Sequence, residues 1–259
     1  KFSVPKHHIF FGYYDISPFN KKNTKILAIK TKNDTKYKAD IGFFNLNNPK
    51  KFHKISSSIS WCWQQGARLR WFDESCENEV SFNDFKNGKY VNLVVDINSS
   101  KVLKIINYPL YDISIDSKLG LSLNFSRLQR LRPGYGYSNL IDNTIQKKCP
   151  NDDGIFLIDI NNNKKKLIIS YSDLVSNFPI KETFSNTHHY FNHLSFNPSS
   201  NKFLFFHLMQ HDNGRCNRLF YYDLDKNEVI KLEDEFITSH YTWKDDNNIL
   251  VTSVDPVNS

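Results

Sequence analysis

The sequence predicts an all-β protein, a β-propeller of four-stranded antiparallel blades. Short apolar runs, each long enough for one strand, are separated by turns rich in Asn, Asp, Ser and Gly. These runs recur with a period of about 40–50 residues, the length of one four-stranded blade. One phrase, apolar residues alternating with Asn or Asp, also returns in each complete repeat. Its four copies are Phe44-Asn45-Leu46-Asn47, Val95-Asp96-Ile97-Asn98, Ile158-Asp159-Ile160-Asn161 and Tyr222-Asp223-Leu224-Asp225.

The repeats follow one another along the whole chain. They open near residues 15, 68, 112, 188 and 240. The fourth is the clearest, with strands expected at residues 194–196, 202–207, 218–225 and 228–232. The third carries the largest insertion, residues 126–153, and an insertion of this length in a compact repeat is typically functional or disordered. Its Arg and Tyr content favours a functional segment.

The fifth repeat stops after two strands, whereas a propeller has to close on itself to avoid open sheet edges. One explanation is that strand-like residues 1–11 complete the last blade of a five-bladed ring. The other, which the abrupt stop favours, is that the native protein continues into further blades. Residues 1–259 are then a single propeller domain that is incomplete at its C-terminus.

Composition narrows the class of protein. The 259 residues are 39% hydrophobic, which is ample for a core, and no apolar run is long enough to span a membrane. The net charge of +7 fits either solubility or a polyanionic partner; no nucleic-acid-binding module is present. The four cysteines follow neither a disulfide nor a zinc pattern. The sequence has no signal-type segment and begins without Met, so a removed leader stays open as an alternative. A cytoplasmic location is slightly favoured over a periplasmic one. The oligomeric state is left open.

The residues that open the repeats are expected around the mouth of the central channel, which the first strand of each blade lines. Aligning the repeats places one polar or ionisable residue per blade at this level, among apolar neighbours. These residues are Asp15, Arg68, Asp112, His193 and His240. Such a ring is a candidate site, although polar residues of inner strands also bond one another or channel waters.

Eight further residues lie in the same entry segments around this ring: Tyr13, Tyr14, Gln64, Gln65, His189, Tyr190, Asn192 and Tyr241. A single tyrosine or histidine is more often a packing residue than a catalyst. However, His189, His193 and His240 approach one level from adjacent blades, so we expect their imidazoles to converge. Two or three imidazoles with a Gln or Asp are suitable ligands for a divalent cation such as Mn or Ca.

Arginines and aromatic side chains form a second group. Its members are Arg68, Arg70, Arg127, Arg130, Arg132, Trp61, Trp63, Tyr135 and Tyr137. A guanidinium pairs bidentately with carboxylates and sulfates, and flat apolar rings pack against sugars. We therefore predict that an acidic oligosaccharide or polysaccharide binds here, and that residues 127–137 fold over the channel mouth as a partial lid. The predicted substrate-binding residues are Asp15, Gln65, Arg70, Asp112, Arg132, Tyr135, Tyr137 and Asn192.

The repeat openings resemble those of the oligogalacturonate lyase family. The matching phrases are Asp15-Ile16-Ser17-Pro18-Phe19-Asn20, His193-Leu194-Ser195-Phe196-Asn197-Pro198-Ser199-Ser200-Asn201 and His240-Tyr241-Thr242-Trp243. The resemblance covers essentially the whole chain as a repeat pattern, and its specific part is the His-bearing openings. It implies a seven-bladed propeller, of which this chain holds about four and a half blades, encoded among bacterial polysaccharide genes.

The resemblance also implies an activity, β-elimination on a uronate-containing glycan. In that family a manganese ion held by His and Gln binds the uronate carboxylate, and an arginine is implicated in proton abstraction. By matching position, His193 and His240 are the expected metal ligands and Arg68 is a candidate base or carboxylate clamp. A base, His189, Tyr190 or Arg68, would take the proton next to the carboxylate, while a cation neutralises that carboxylate.

Two other function classes remain open at this stage. The chain is also compatible with a non-catalytic glycan-binding propeller, which would share the Arg and aromatic mouth but lack a positioned base. A glycoside hydrolase would instead need two carboxylates flanking the sugar, and Asp15 and Asp112 are the candidates.

Overall fold

The computed structural model describes residues 4–32, 38–73, 77–211, 214–233 and 237–254. It confirms the predicted fold class, because consecutive strands form four four-stranded antiparallel sheets and one two-stranded sheet. Each four-stranded sheet is one blade, with the strands in chain order from its first edge to its last. No helix in the described part of the chain is long and apolar enough to cross a membrane.

The strands lie close to the predicted positions. Blade 1 contains β1 to β4, at His8–Phe10, Lys25–Thr31, Ala39–Asn45 and Asn48–Ser58. Blade 2 contains β5 to β8, at Arg70–Trp71, Glu79–Lys86, Lys89–Asp96 and Val102–Ile106. Blade 3 contains β9 to β12, at Asp112–Ile113, Leu119–Ser122, Gly154–Asp159 and Lys164–Ser170. Blade 4 contains β13 to β16, at His188–Phe196, Lys202–His211, Gly214–Asp223 and Glu228–Glu233. The two strands of blade 5 are β17, Ile237–Trp243, and β18, Ile249–Val254.

The recurrent Asn/Asp phrase has a local physical cause. In each complete blade, the Asn or Asp that ends the third strand caps the turn to the fourth strand with its side-chain oxygen. The acceptors Asn45, Asp96, Asp159 and Asp223 each bind the backbone N–H two or three residues later, at 2.6–3.1 Å. Asn and Asp favour turns because their short side chains replace a backbone acceptor in this way.

The N-terminal strand belongs to blade 1. β1 pairs with β2, with Phe10 opposite Ile29, and therefore forms the first strand of the first blade. The alternative in which residues 1–11 complete the last blade of a five-bladed ring is thus wrong for the described residues 8–10. The sequence pattern places the opening of the first repeat near residue 15, whereas the first strand of the blade ends at Phe10, so the residues between them are free to enter the channel.

The core lies between the blades, because a central blade strand is packed on both faces. The strand β7, for instance, is buried at six consecutive positions, residues 90–95. The insertion of blade 3 begins with helix α1, Phe125–Leu131, whose N-terminus is capped by Asn124. A second helix, α2 at Tyr171–Asn177, follows β12, and a 3-10 turn at Glu182–Phe184 leads to blade 4.

Candidate functional site

Two residues of the predicted ring occupy equivalent β-bulges. In blade 4, His193 and the residue after it stand opposite the single residue Phe205. In blade 2, Arg68 and the next residue stand opposite Phe82 in the same way. Both bulged residues are left-handed, with φ of +54° at His193 and +53° at Arg68. A bulge re-aims the side chain it carries, so the two blades present their ionisable residue by the same device.

The remaining ring residues are not all at this level. In each of blades 2, 3 and 4, one backbone N–H closes the turn between the first and second strands by donating to the start of the second strand. Asp112 lies two residues before this N–H in blade 3. The residues at the same position are Arg70 in blade 2 and Ser195 in blade 4. The sequence alignment that placed Asp112 level with Arg68 and His193 is therefore shifted by two residues. The ring is stepped along the channel, and Asp112 faces Arg70 instead of the histidines.

A loop of blade 1 enters the channel. Phe10 pairs with Ile29, and the Pro18 carbonyl accepts from the Leu27 N–H at 2.9 Å, so residues 11–17 stand opposite the single residue Ala28. Seven residues cannot be accommodated against one, and they leave the sheet. We call residues 11–17 the channel loop.

The channel loop reaches across to blades 4 and 5. The ring of Tyr13 stacks on the imidazole of His193, with centroids 5.1 Å apart and planes 27° apart. The Tyr13 hydroxyl lies 3.3 Å from Nε2 of His240. The next residue, Tyr14, accepts a 3.4 Å hydrogen bond from the N–H of Tyr241. Tyr13 and Tyr14 thus stand beside the two predicted histidines.

These contacts border a cleft of about 200 Å³. Its polar lining includes Tyr13, Arg132, Tyr135, His193, Ser239 and His240. The cleft therefore brings together His193 and His240, as predicted, with Arg132 and Tyr135 of the insertion.

His193 is the most unusual group in the cleft. The residue is only 6% exposed, and its buried Nδ1 has no hydrogen-bond partner among the described residues. Burial, reinforced by the positive charges of Arg132 and Arg68, lowers the pKa of His193 well below the usual histidine range. The imidazole is therefore neutral near pH 7, and it borders the cleft.

Arg132 supplies the cation of the cleft. Its guanidinium lies 4.1 Å from the centroid of the Tyr135 ring and donates to the Tyr135 hydroxyl at 3.1 Å. The Tyr135 ring also meets the His193 ring edge-on, at 6.1 Å. Since no carboxylate is paired with Arg132 among the described residues, its charge remains available to an anionic ligand.

The lid prediction holds for part of the insertion. Arg132 and Tyr135 lie at the cleft, whereas the buried side chains of Arg127 and Tyr137 attach the segment to the rest of the protein. Arg127 is fully buried and donates to the His189 carbonyl at 2.7 Å and to further carbonyls of the insertion. Tyr137 is 1% exposed and stacks on Phe125 at 4.4 Å, so it lies in the core and not against the cleft. Arg130 is paired with Asp142 within the insertion.

Arg68 is committed to the protein itself. Its two terminal nitrogens donate to both carboxylate oxygens of Asp15, at 3.2 and 2.8 Å, and Nε donates to the Tyr111 carbonyl at 2.8 Å. Burial alone lowers the pKa of this guanidinium, but the Asp15 charge outweighs burial and the net pKa is raised. A buried, fully paired guanidinium of raised pKa suits neither a base nor a free carboxylate clamp.

Asp15 and Asp112 do not form the pair that a glycoside hydrolase needs. Asp15 is occupied by Arg68, and Asp112 accepts from Arg70 and, through its other oxygen, from the N–H of Phe196 at 2.7 Å. Hydrolysis requires one carboxyl group that gives a proton to the leaving oxygen and a second that activates water or attacks the sugar. Two carboxylates held by arginines do not present either function.

His189 belongs to a different buried network. Its Nδ1 lies 2.8 Å from Nε2 of His207, and Nδ1 of His207 lies 3.1 Å from the guanidinium of Arg218. Because a guanidinium only donates, His207 carries its proton on Nε2 and donates it to His189. Burial, then the charges of Arg127 and Arg218, lower the pKa of His189 to about 4. No hydrogen bond or ring contact joins His189 to His193 or His240 in the described part of the chain, so the expected convergence of three imidazoles is reduced to two.

The remaining predicted residues are fully buried. Tyr190 has no exposed surface, its hydroxyl has no hydrogen-bond partner within the described residues, and burial raises its pKa to about 12. Gln65 and Asn192 both bind the hydroxyl of Tyr111, at 2.8 and 2.9 Å, and this hydroxyl accepts from the N–H of His193 at 3.0 Å. Tyr111, which the sequence reasoning missed, thus fixes the bulge that carries His193. Its position directly before Asp112 was the only sequence signal.

The donor set does not fit a metal held by several protein ligands. Within residues 4–32, 38–73, 77–211, 214–233 and 237–254, no group of three or more His, Cys, Asp or Glu side chains is placed to hold a metal ion. Both nitrogens of His240 also have partners, since Nδ1 lies 2.9 Å from Oγ of Ser239 and Nε2 faces Tyr13. We therefore derive no step through a metal.

Comparison with known proteins establishes the fold. The sequence matches no protein-family model and no curated protein. Among solved structures, an oligogalacturonate lyase in complex with manganese is similar with a TM-score of 0.51 and 10% identity, over 99% of this chain and 75% of that chain. The β-propeller domain of the trilobed protease from Pyrococcus furiosus is similar with a TM-score of 0.53 and 14% identity, over 93% and 64%. These likenesses support a propeller-type fold.

TolB from Acinetobacter baumannii is a further neighbour, with a TM-score of 0.47 and 15% identity, over 88% of this chain. The chain spans 44% of the length of that protein.

Proposed function

We propose that the cleft binds an acidic, uronate-containing glycan and that the protein cleaves it as a polysaccharide lyase, by β-elimination. One observation carries this proposal. A neutral imidazole that is nine-tenths buried, His193, borders the same cleft as Arg132, an arginine that has no carboxylate partner among the described residues. The distant likeness to an oligogalacturonate lyase agrees with it at the level of the fold.

The reaction needs these two groups. Elimination across C4 and C5 of a uronate begins with removal of the C5 proton, which is weakly acidic because it is next to the carboxylate. A guanidinium paired with that carboxylate stabilises the enolate-like charge that develops. In this proposal Arg132 holds the carboxylate, and the imidazole of His193 accepts the C5 proton as general base.

The low pKa of His193 has two consequences. The ring is unprotonated near pH 7, so nearly every molecule has a base able to accept a proton. However, a base of low pKa accepts a proton weakly. A bound uronate places a negative charge beside the ring, and such a charge raises an imidazole pKa. Substrate binding therefore moves the base toward the strength that the reaction requires.

Aromatic rings define where the sugar can lie. The rings of Tyr13 and Tyr135 approach His193 from two sides, stacked at 5.1 Å and edge-on at 6.1 Å. Tyrosine combines a flat apolar face for the C–H groups of a sugar with a hydroxyl for its oxygens. The cleft volume of about 200 Å³ accommodates one sugar ring, and flanking sugars extend to the solvent.

The test uses oligosaccharides of galacturonate, mannuronate and glucuronate, with the ultraviolet absorbance of the unsaturated product as readout. We expect the wild-type protein to form product from at least one of them and His193→Ala to form none. Truncation of this buried ring leaves a cavity and should lower the melting temperature, so both proteins are assayed at a temperature at which melting curves show them folded. His7→Ala is the matched control, because the His7 ring makes an exposed hydrogen bond with the Pro5 carbonyl two residues away and lies outside the cleft.

Three other results are informative. Wild-type turnover by His193→Ala would reject the site. Binding of an oligosaccharide by the wild type, without product, would identify a non-catalytic glycan-binding propeller. Loss of product after addition of a chelator would assign charge neutralisation to a metal ion instead of Arg132.

A further inference from the structure

We propose that Tyr13 is the proton donor to the departing glycosidic oxygen, and that His240 and Ser239 return the proton to it from solvent. This inference rests on the proposed lyase function and assigns its second proton transfer. Elimination leaves an alkoxide at the broken C4–O4 bond unless a group on the protein protonates that oxygen.

Three side chains form an unbroken hydrogen-bonded chain at the rim of the cleft. The Tyr13 hydroxyl lies 3.3 Å from Nε2 of His240, and Nδ1 of His240 lies 2.9 Å from Oγ of Ser239. Ser239 and His240 are exposed, whereas Tyr13 is half-buried. The chain therefore leads from a residue inside the cleft to water.

The position of Tyr13 relative to the base suits the reaction. Its ring stacks on the ring of His193 with centroids 5.1 Å apart, so a phenol and an imidazole border one small cleft. The C5 hydrogen and the O4 oxygen of a uronate are on neighbouring carbons. Two groups held this close can serve both atoms of one bound sugar.

The Tyr13 hydroxyl keeps its proton. Burial, then the neighbouring Tyr135 hydroxyl, raises the pKa of Tyr13 above the ordinary tyrosine value. A raised pKa disfavours a tyrosine base and favours an acid that is protonated at every physiological pH. When Tyr13 donates to the sugar, its oxygen can accept from Nε2–H of His240, while Nδ1 accepts from the Ser239 hydroxyl.

The proposed step balances. The C5–H bond breaks, its proton passes to the imidazole of His193, and the electron pair forms the C4=C5 double bond. The C4–O4 bond breaks at the same time, and O4 takes the Tyr13 hydroxyl proton. The Tyr13 oxygen then regains a proton from His240, which is resupplied through Ser239 and water, and His193 returns its proton to solvent. No oxidant or reductant takes part.

The other tyrosines of the region are less suitable donors. The hydroxyl of Tyr135 accepts from the Arg132 guanidinium, whose charge the uronate carboxylate would share. The hydroxyl of Tyr14 is directed to the backbone of Tyr241. The side chains of Tyr190 and Tyr241 are buried, with 0% and 5% exposure.

The deciding experiment compares Tyr13→Phe with the wild type on two substrates. The phenyl ring keeps the stacking on His193, so the Kd of an oligosaccharide should change less than about threefold. Loss of the general acid should lower kcat on that oligosaccharide about 10²–10⁴-fold. A uronide with fluoride at C4 needs no protonation of its leaving group, and on it Tyr13→Phe should come within about tenfold of the wild type. His193→Ala, which lacks the base, should fail on both substrates.

Each outcome bears on a specific claim. Full turnover of the oligosaccharide by Tyr13→Phe would refute the donor role and leave the lyase proposal standing. Equal loss on both substrates would also refute it, because a donor of the leaving group is not needed for fluoride. Absence of product from the wild type on every oligosaccharide and on the fluoride would overturn the donor role and the proposed function together.

Discussion

The buried ion pair between Arg68 and Asp15 provides the sharpest test of the physical reasoning. Arg68 is 2% exposed, and Asp15 is its only carboxylate partner among the described residues, with both oxygens engaged at 2.8 and 3.2 Å. Asp15→Ala removes the counter-charge and leaves a guanidinium in the interior. Breaking a buried pair by removing one partner costs about 3–5 kcal/mol, because the remaining charge has lost its compensation.

An exposed pair provides the matched control. Asp116 contacts Lys118 at 3.1 Å, and the two side chains are 49% and 67% exposed. Such pairs contribute about 0–1 kcal/mol, since water screens them. Asp116 also caps its own turn, so Asp116→Asn is the appropriate control variant. Equilibrium unfolding in urea should report a loss several times larger for Asp15→Ala than for Asp116→Asn.

The double variant Asp15→Leu/Arg68→Met separates pairing from packing. Replacing a buried pair by apolar residues of similar volume is often close to neutral. We therefore expect this variant to be more stable than Asp15→Ala with Arg68 retained. A change below about 1 kcal/mol for Asp15→Ala would refute the reasoning, since it would mean that water reaches the guanidinium. A double variant less stable than Asp15→Ala would show that Arg68 acts mainly through its contacts to Tyr111.

Two further predictions concern stability and the lid. The pKa of His189 is lowered to about 4 and that of His207 is also lowered, so the unfolded chain binds protons that the folded chain does not. The free energy of unfolding is then highest above about pH 6.5 and falls as the pH drops toward 4, by about 2 kcal/mol at pH 5 for His189 alone. Urea unfolding at several pH values measures this loss. A stability that does not change with pH in this range would contradict the prediction. A Cβ at Gly136 would lie 2.1 Å from the Phe125 carbonyl oxygen and 2.4 Å from the N–H nitrogen of Gln129. Gly136→Ala should therefore displace the lid and weaken oligosaccharide binding by calorimetry, whereas Gly88→Ala, which meets no atom, should leave binding unchanged.

The blade pattern could be predicted because its causes are local. Each Asn or Asp of the recurrent phrase binds a backbone N–H only two or three residues away, so the turn is encoded where it occurs. Apolar runs of strand length, repeated with the period of a blade, then leave few arrangements that bury them. That His193 and Arg68 occupy equivalent positions in their two blades could be predicted for the same reason.

The partners of the site residues could not be predicted in this way. Tyr13 reaches His240 across 227 residues, and His193 depends on the hydroxyl of Tyr111 across 82. His189 and His193 are both histidines of β13 and lie four residues apart. Only His193 borders the cleft, whereas His189 binds His207 of the same blade. A repeat pattern predicts the position of a residue along its strand. It does not predict whether the side chain points to the channel or into the blade when a β-bulge changes the alternation of side chains.

By itself, then, the sequence determined the all-β class, the four-stranded repeat and the blades that carry His193, His240 and Arg68, because hydrophobic period and turn chemistry act over a few residues. The tertiary structure alone decided that Arg68 is paired with Asp15, that His189 is withdrawn from the cleft and that Tyr13 enters it. Those outcomes depend on which side chains of distant blades meet after burial. A charge or a hydrogen-bonding group in the interior takes whichever partner the packing brings to it.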